Sequence, residues 1–151
     1  MASLEKNNPQ AHGLPHGEPF IFVDRVLETR SGEWARCEVT FSLERDFFRG
    51  HFPGNPIVPG VILTEALAQT SGIAAGSDSE NNSGIKRSFL LSAIRAMKFK
   101  RAVLPDEIIV LEATKRGEMA GLLQFETVAR VGEEIVVEGQ IILSETVGPG
   151  L

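Results

Sequence analysis

Apolar and polar residues alternate strictly along 33–43. Ala35, Cys37, Val39 and Phe41 fall on one face and Arg36, Glu38 and Thr40 on the other. A period of two over that length predicts a half-buried strand. The preceding run PFIFVDRVLE, residues 19–28, is strand-like and ends near Ser31-Gly32. Residues 61–74 read differently: Val61, Ile62, Leu63, Ala66, Leu67, Ala68 and Ile73 surround most of a helical axis, so a helix is expected there, buried on nearly all sides. Four more strands are expected at 88–99, 107–115, 122–131 and 134–143, with Gly117 and Gly132 in turns, forming an antiparallel meander.

Strands, one buried helix and more strands imply an α+β fold. A helix that is apolar all round is best satisfied if the sheet curls around it. The chain has 151 residues, 42% hydrophobic and 23% charged, the size of one domain with its own core. Residues 1–13 read as a flexible lead-in, 14–143 as the domain and 144–151 as a flexible tail, with a polar loop at 77–84.

Charge and composition narrow the function. A net charge of −5 argues against a general nucleic-acid binder, which needs an excess of Lys and Arg. Cys37 is the only cysteine, so neither a disulfide framework nor a zinc cluster is expected, and a reducing cytoplasm suits the chain. No secretory leader or membrane span is read in the sequence. Without a GxGxxG or P-loop run there is no argument for a nucleotide cofactor, and the chemistry is expected to come from side chains.

Residues 50–60 hold Pro53, Pro56 and Pro59 with Gly50, Gly54 and Gly60, and so form a stiff loop leading into the helix. Of three histidines, His12, His16 and His51, only His51 lies in that loop, where its ring is either held for proton transfer or simply tolerated at the surface. Glu65, one turn into the helix among Leu63, Ala66, Leu67 and Ala68, is either a buried acid or the mark of a narrow polar stripe. Gln69 shares its face and either holds that carboxyl or extends the stripe. Gly60 either offers an N–H at the positive end of the helix dipole or only permits the turn. A loop base, a buried acid and a helix-terminal donor together suit proton abstraction beside a carbonyl and loss of a protonated leaving group.

These residues closely resemble the bacterial (3R)-3-hydroxyacyl-[acyl-carrier-protein] dehydratase family. Its pattern G-H-F-P-x-x-P-x-x-P-G-V-x-x-x-E-x-x-A-Q is matched at Gly50, His51, Phe52, Pro53, Pro56, Pro59, Gly60, Val61, Glu65, Ala68 and Gln69. The stretches LPHGEPFIFVDRVLE and MKFKRAVLPDE agree in order and spacing. The resemblance implies a hot-dog fold, a curved antiparallel sheet around one central helix, assembled as a homodimer or trimer of dimers. It also implies that His51 takes the C2 proton of a 3-hydroxyacyl thioester and that Glu65 of the partner subunit assists departure of the C3 hydroxyl. Gly60 N–H would polarise the thioester carbonyl, with no metal or organic cofactor beyond the substrate's phosphopantetheine arm. A related isomerising family carries Asp in place of Glu65, so dehydration in fatty acid biosynthesis without isomerisation is expected.

The chain departs from the family where Gly17 and Glu18 follow His16, and where Phe89 and Leu90 stand near a tyrosine that gates the acyl tunnel in many members. Tunnel gating is therefore expected to differ. Arg95, Lys98, Lys100 and Arg101 place four positive charges in seven residues, the docking candidate for an acidic acyl carrier protein. Alternatively they solvate an edge strand, since Arg95 and Lys98 are expected on opposite faces. Three rival readings remain: a hot-dog thioesterase, a dehydratase of a specialised polyketide or pigment pathway, and a non-catalytic acyl-binding subunit.

Overall fold

The computed structural model of the chain describes residues 6–76 and 87–146. Strands β1 (Arg25–Arg30) and β2 (Trp34–Thr40) precede the long helix α1 (Gly60–Ala75). Strands β3 (Ser88–Phe99), β4 (Ile108–Met119), β5 (Leu122–Val131) and β6 (Glu134–Thr146) follow it. All pairings are antiparallel, in the order β1-β2-β4-β5-β6-β3. Every strand touches α1, which gives the α+β hot-dog arrangement expected.

Alternation in β2 is realised as read: Ala35, Cys37, Val39 and Phe41 are all buried. Burial also pushes the Cys37 thiol up to about 12, against a smaller opposing effect of its hydrogen bond with Thr70. The facing residues Ile109, Leu111, Leu123, Phe125, Ala129 and Ile141 close over Leu67 and Ile73 of the helix. Buried hydroxyls on α1 turn back onto their own helix: Thr64, Thr70 and Ser71 each donate at 2.9 Å to the carbonyl four residues earlier. The helix stops at Gly76, whose φ of 81° favours glycine and whose Cβ, if present, would collide with the Ser31 side chain.

Several expectations are corrected. The first strand begins at Arg25 rather than at Pro19, because the Gln69 side chain takes the backbone groups of Phe20 and Phe22 that a strand ladder would have used. Only β4, β5 and β6 form a meander; β3 pairs along the outer edge of β6. Gly117 lies inside β4 at a register shift, and the turn falls instead at Ala120-Gly121, where φ is 53° and 77°. Gly132 does sit between β5 and β6, with φ 60°. The first turn of α1 escapes burial, with Val61 79% exposed.

The ends also differ from the reading. β6 continues through 144–146, where Ser88 pairs with Thr146. In the lead-in, Pro9–His12 forms a 3-10 turn whose first N–H, that of Gln10, is capped by the Asn8 side chain. Residues 1–5, the polar loop at 77–84 and the tail beyond 146 lie outside the described residues.

β3 carries a bulge. Arg95 faces Gln140 and Lys98 faces Glu138, so three steps on one strand oppose two on the other, and Ala96 takes a φ of 50°. Gln140 and Glu138 share a face, so Arg95 and Lys98 share it too, contrary to the expected opposition. Gly139 accommodates the bulge, since a Cβ there would lie 2.7 Å from Met97 Cα.

Candidate active site

His51 is fixed by its own loop. A single helical turn, Phe47–Gly50, precedes it, and the His51 N–H donates to the Phe47 carbonyl at 2.9 Å. Phe52 and Asn55 exchange backbone hydrogen bonds around Gly54, whose φ is 73°. Ile57 N–H donates to the His51 carbonyl, and His51 Nδ1 lies 3.0 Å from the Ile57 carbonyl. A carbonyl only accepts, so the ring proton sits on Nδ1 and the Nε2 lone pair of the neutral ring is free to take a proton. Val58 N–H, bonded to the Val103 carbonyl at 2.8 Å, anchors the far end of the loop to the sheet side. The ring is half-buried and stacks on Phe52 at 4.2 Å.

Glu65 is half-buried on the second turn of α1. Of the two alternatives for Gln69, the structure realises the holding role. Buried to 1% exposure, Gln69 accepts from Phe22 N–H at 2.9 Å and donates through Nε2 to the Phe20 carbonyl at 3.0 Å and to Glu65 Oε1 at 3.1 Å. A cavity of about 150 Å³ opens beside Glu65, lined by His16, Gln69, Phe89, Leu90 and Leu143 among others. Both expected tunnel residues, Phe89 and Leu90, therefore line the same cavity as Glu65. Arg87 lies over the Phe89 ring at 5.2 Å and binds Glu145 at 2.7 Å, which holds the Glu145 carboxyl below the usual carboxylate range.

His51 does not line that cavity. Within one chain His51, at the loop before α1, thus stands outside the cavity that Glu65 lines along the helix. Gly60 begins α1 with no side-chain cap from Pro59, so its end of the helix offers uncapped N–H groups. A Cβ on Gly60 would meet the Phe99 ring at 3.0 Å, which is why the position suits glycine.

The basic cluster is only half available. Lys100 binds Glu138 at 2.9 Å, and Arg101 binds Glu107 at 3.0 Å and Glu134 at 2.9 Å. Arg101 holds Glu107 below the usual carboxylate range. Arg95 and Lys98 are exposed, on the sheet face turned away from α1. Among the described residues, no group of three or more His, Cys, Asp or Glu is placed to hold a metal ion. A fixed imidazole with a free nitrogen and a carboxyl in an apolar-walled cavity can take and give a proton, the requirements of general acid–base chemistry.

The model of the FabA-like domain matches residues 14–140. The chain belongs to the FabA-like domain family. It is 41% identical over 129 residues to the 3-hydroxyacyl-[acyl-carrier-protein] dehydratase FabZ of Haemophilus influenzae strain 86-028NP, covering 85% of this chain and 86% of that one. The protein of the same description from Acetivibrio thermocellus is 41% identical over 128 residues, with the same coverage. Among solved structures, the dehydratase heterocomplex ApeI:P from Xenorhabdus doucetiae superposes with a TM-score of 0.74 at 19% identity, covering 92% of this chain and 91% of that one. Cj0977, described as a sigma28-regulated virulence protein from Campylobacter jejuni, superposes with a TM-score of 0.65 at 12% identity, covering 89% and 83%. At those identities the two structures show the fold alone.

One member of the site was missed from the sequence. His16 Nε2 lies 3.3 Å from Glu65 Oε1. Its signal was the position of His16 within the LPHGEPF stretch, but spacing alone gave no reason to bring that loop to the helix. What brings it there is Gln69, so Gln69→Leu should strip partners from Phe20 and Phe22 together. The buried Phe22 N–H then lacks an acceptor, and the variant is expected to lose about 2 kcal/mol in urea denaturation. Unchanged stability would mean that the segment is held by other contacts.

Proposed function

We propose that this protein is a hydro-lyase that converts (3R)-3-hydroxyacyl-[acyl-carrier-protein] to the trans-2-enoyl thioester in fatty acid biosynthesis. The observation that carries this reading is the pinned His51 ring, with Nδ1 on the Ile57 carbonyl and Nε2 free, in a chain whose 41% identical relatives carry that activity in their names. His51 Nε2 takes the C2 proton. Glu65 gives a proton to the C3 hydroxyl, which leaves as water. An N–H at the start of α1, that of Gly60, faces the thioester carbonyl as negative charge gathers there. Side chains suffice, and the phosphopantetheine arm arrives with the substrate.

Association of two copies completes the site. His51 and Glu65 face different spaces within a chain, so His51 of one protomer works with Glu65 of the other. The free edge of β3 supports such pairing: Leu90, Leu91, Ile94 and Phe99 are all exposed on it, as is Val61 at the helix start. A homodimer is the smallest assembly that meets this need, and a trimer of dimers repeats it. Among the described residues no helix is long and apolar enough to cross a membrane, and the cytoplasm is the proposed setting. Arg95 and Lys98, on one exposed face, are the proposed contact for the acidic carrier; Lys100 and Arg101 serve less well because carboxylates already engage them.

Absorbance of the enoyl thioester tests the reaction in either direction. With a 3-hydroxybutyryl thioester, His51→Ala and Glu65→Gln are each expected to reduce kcat about a hundredfold or more. An inactive wild type, or full activity in both variants, rejects the dehydratase reading. Charge reversal of Arg95 and Lys98 should raise KM for carrier-bound substrate and spare a small thioester mimic; an unchanged ratio of the two rejects that docking face.

A further inference from the structure

One polar contact in the cavity lies outside that chemistry. Glu65 Oε1 faces two nitrogen groups, Gln69 Nε2 at 3.1 Å and His16 Nε2 at 3.3 Å. The His16 ring is otherwise held without hydrogen bonds of its own: it stacks on Phe20 at 6.1 Å, and its main-chain carbonyl accepts from Gln10 Nε2 at 3.0 Å. Its Nδ1 is buried with no hydrogen-bond partner. An orphaned buried N–H is the rarer and costlier state, so the neutral ring keeps its proton on Nε2, the ring nitrogen 3.3 Å from Glu65 Oε1.

We propose that His16 is a positioning residue for Glu65, an inference that rests on the dehydratase reading. The Gln69 amide bonded to Oε1 at 3.1 Å, with the His16 ring nitrogen beside the same oxygen at 3.3 Å, makes Oε1 the carbonyl oxygen of the acid form. The transferable proton then sits on Oε2, the oxygen that neither Gln69 nor His16 contacts. In the reaction that proton passes to the C3 hydroxyl and the C3–O electron pair leaves with the water. His51 Nε2 takes the C2 proton, and the C2–H electron pair becomes the C2=C3 bond. His16 neither gains nor loses a proton; it holds the carboxyl in the rotation that presents Oε2.

The arrangement also accounts for the rigid framing of this loop. Gln69 binds Phe20 and Phe22, on either side of Ile21 in the segment that follows His16, so the same amide that contacts Glu65 sets where the imidazole stands. Acid, amide and imidazole form one unit.

Steady-state kinetics on the full-length protein test the proposal, with a 3-hydroxybutyryl thioester as substrate. His16→Phe keeps a ring over Phe20 but has no N–H, and is expected to lower kcat at least about tenfold while KM stays within about twofold. His16→Gln restores a donor and should recover most of kcat. His16→Leu serves as a second donor-free variant if the phenylalanine is not accommodated. In a Glu65→Gln background the donor-free substitution should cost little more, because its effect runs through that carboxyl. The proposal is overturned if the donor-free variants keep wild-type kcat, if they raise KM alone, or if His16→Gln is as impaired as they are. A wild type inactive on the thioester would instead remove the dehydratase reading itself.

Discussion

A helix enclosed by a sheet has no water to satisfy its polar side chains, and each such group on α1 has had to find a protein partner. Thr64, Thr70 and Ser71 return to their own helix, and Gln69 spreads its amide over Phe20, Phe22 and Glu65. Glu65 is the one ionisable group on this helix, and both of its contacts fall on a single oxygen. Satisfaction of the buried helix therefore also frames Glu65, the acid of the proposed site. The Gln69 contacts do two tasks at once: they close the segment before β1 over the helix, and they bring His16 to the carboxyl.

The base half follows from a different constraint. Prolines and glycines between Gly50 and Gly60 remove the option of a regular element, so the loop satisfies its backbone internally, and the Ile57 carbonyl takes the imidazole Nδ1–H. That loop stands before the helix while the acid-lined cavity runs along it. The exposed apolar residues of β3 and Val61 offer a surface for the proposed pairing of two copies, which would bring the two halves together. On the proposed reading, assembly and chemistry are the same requirement.

Much of this was legible in the sequence. β5 occupies the residues that periodicity assigned, because alternation between buried and exposed faces is a local property of the chain, and β3 keeps its expected bounds although most of its residues are exposed. The helix was legible from its all-round apolar pattern, and the His51, Gly60 and Glu65 constellation from the loop that precedes it. Long-range effects were not. Nothing local indicates that Gln69 would claim the Phe20 and Phe22 backbone and delay β1, or that β3 would cross to the far edge of β6. The bulge at Ala96 changes the face of Lys98, which parity counting cannot anticipate. Ion pairs formed by Lys100 and Arg101 with carboxylates distant in sequence halved a patch that looked uniform along the chain.

In the proposed assembly, one functional site takes its base from one copy and its acid from another. Mixing His51→Ala protein with Glu65→Gln protein under conditions that exchange subunits tests it most directly, since each mixed pair holds one site with both groups intact. Dehydratase activity, nearly absent from either variant alone, is expected to return on mixing. A mixture no more active than its separate components, with exchange demonstrated independently, would contradict it.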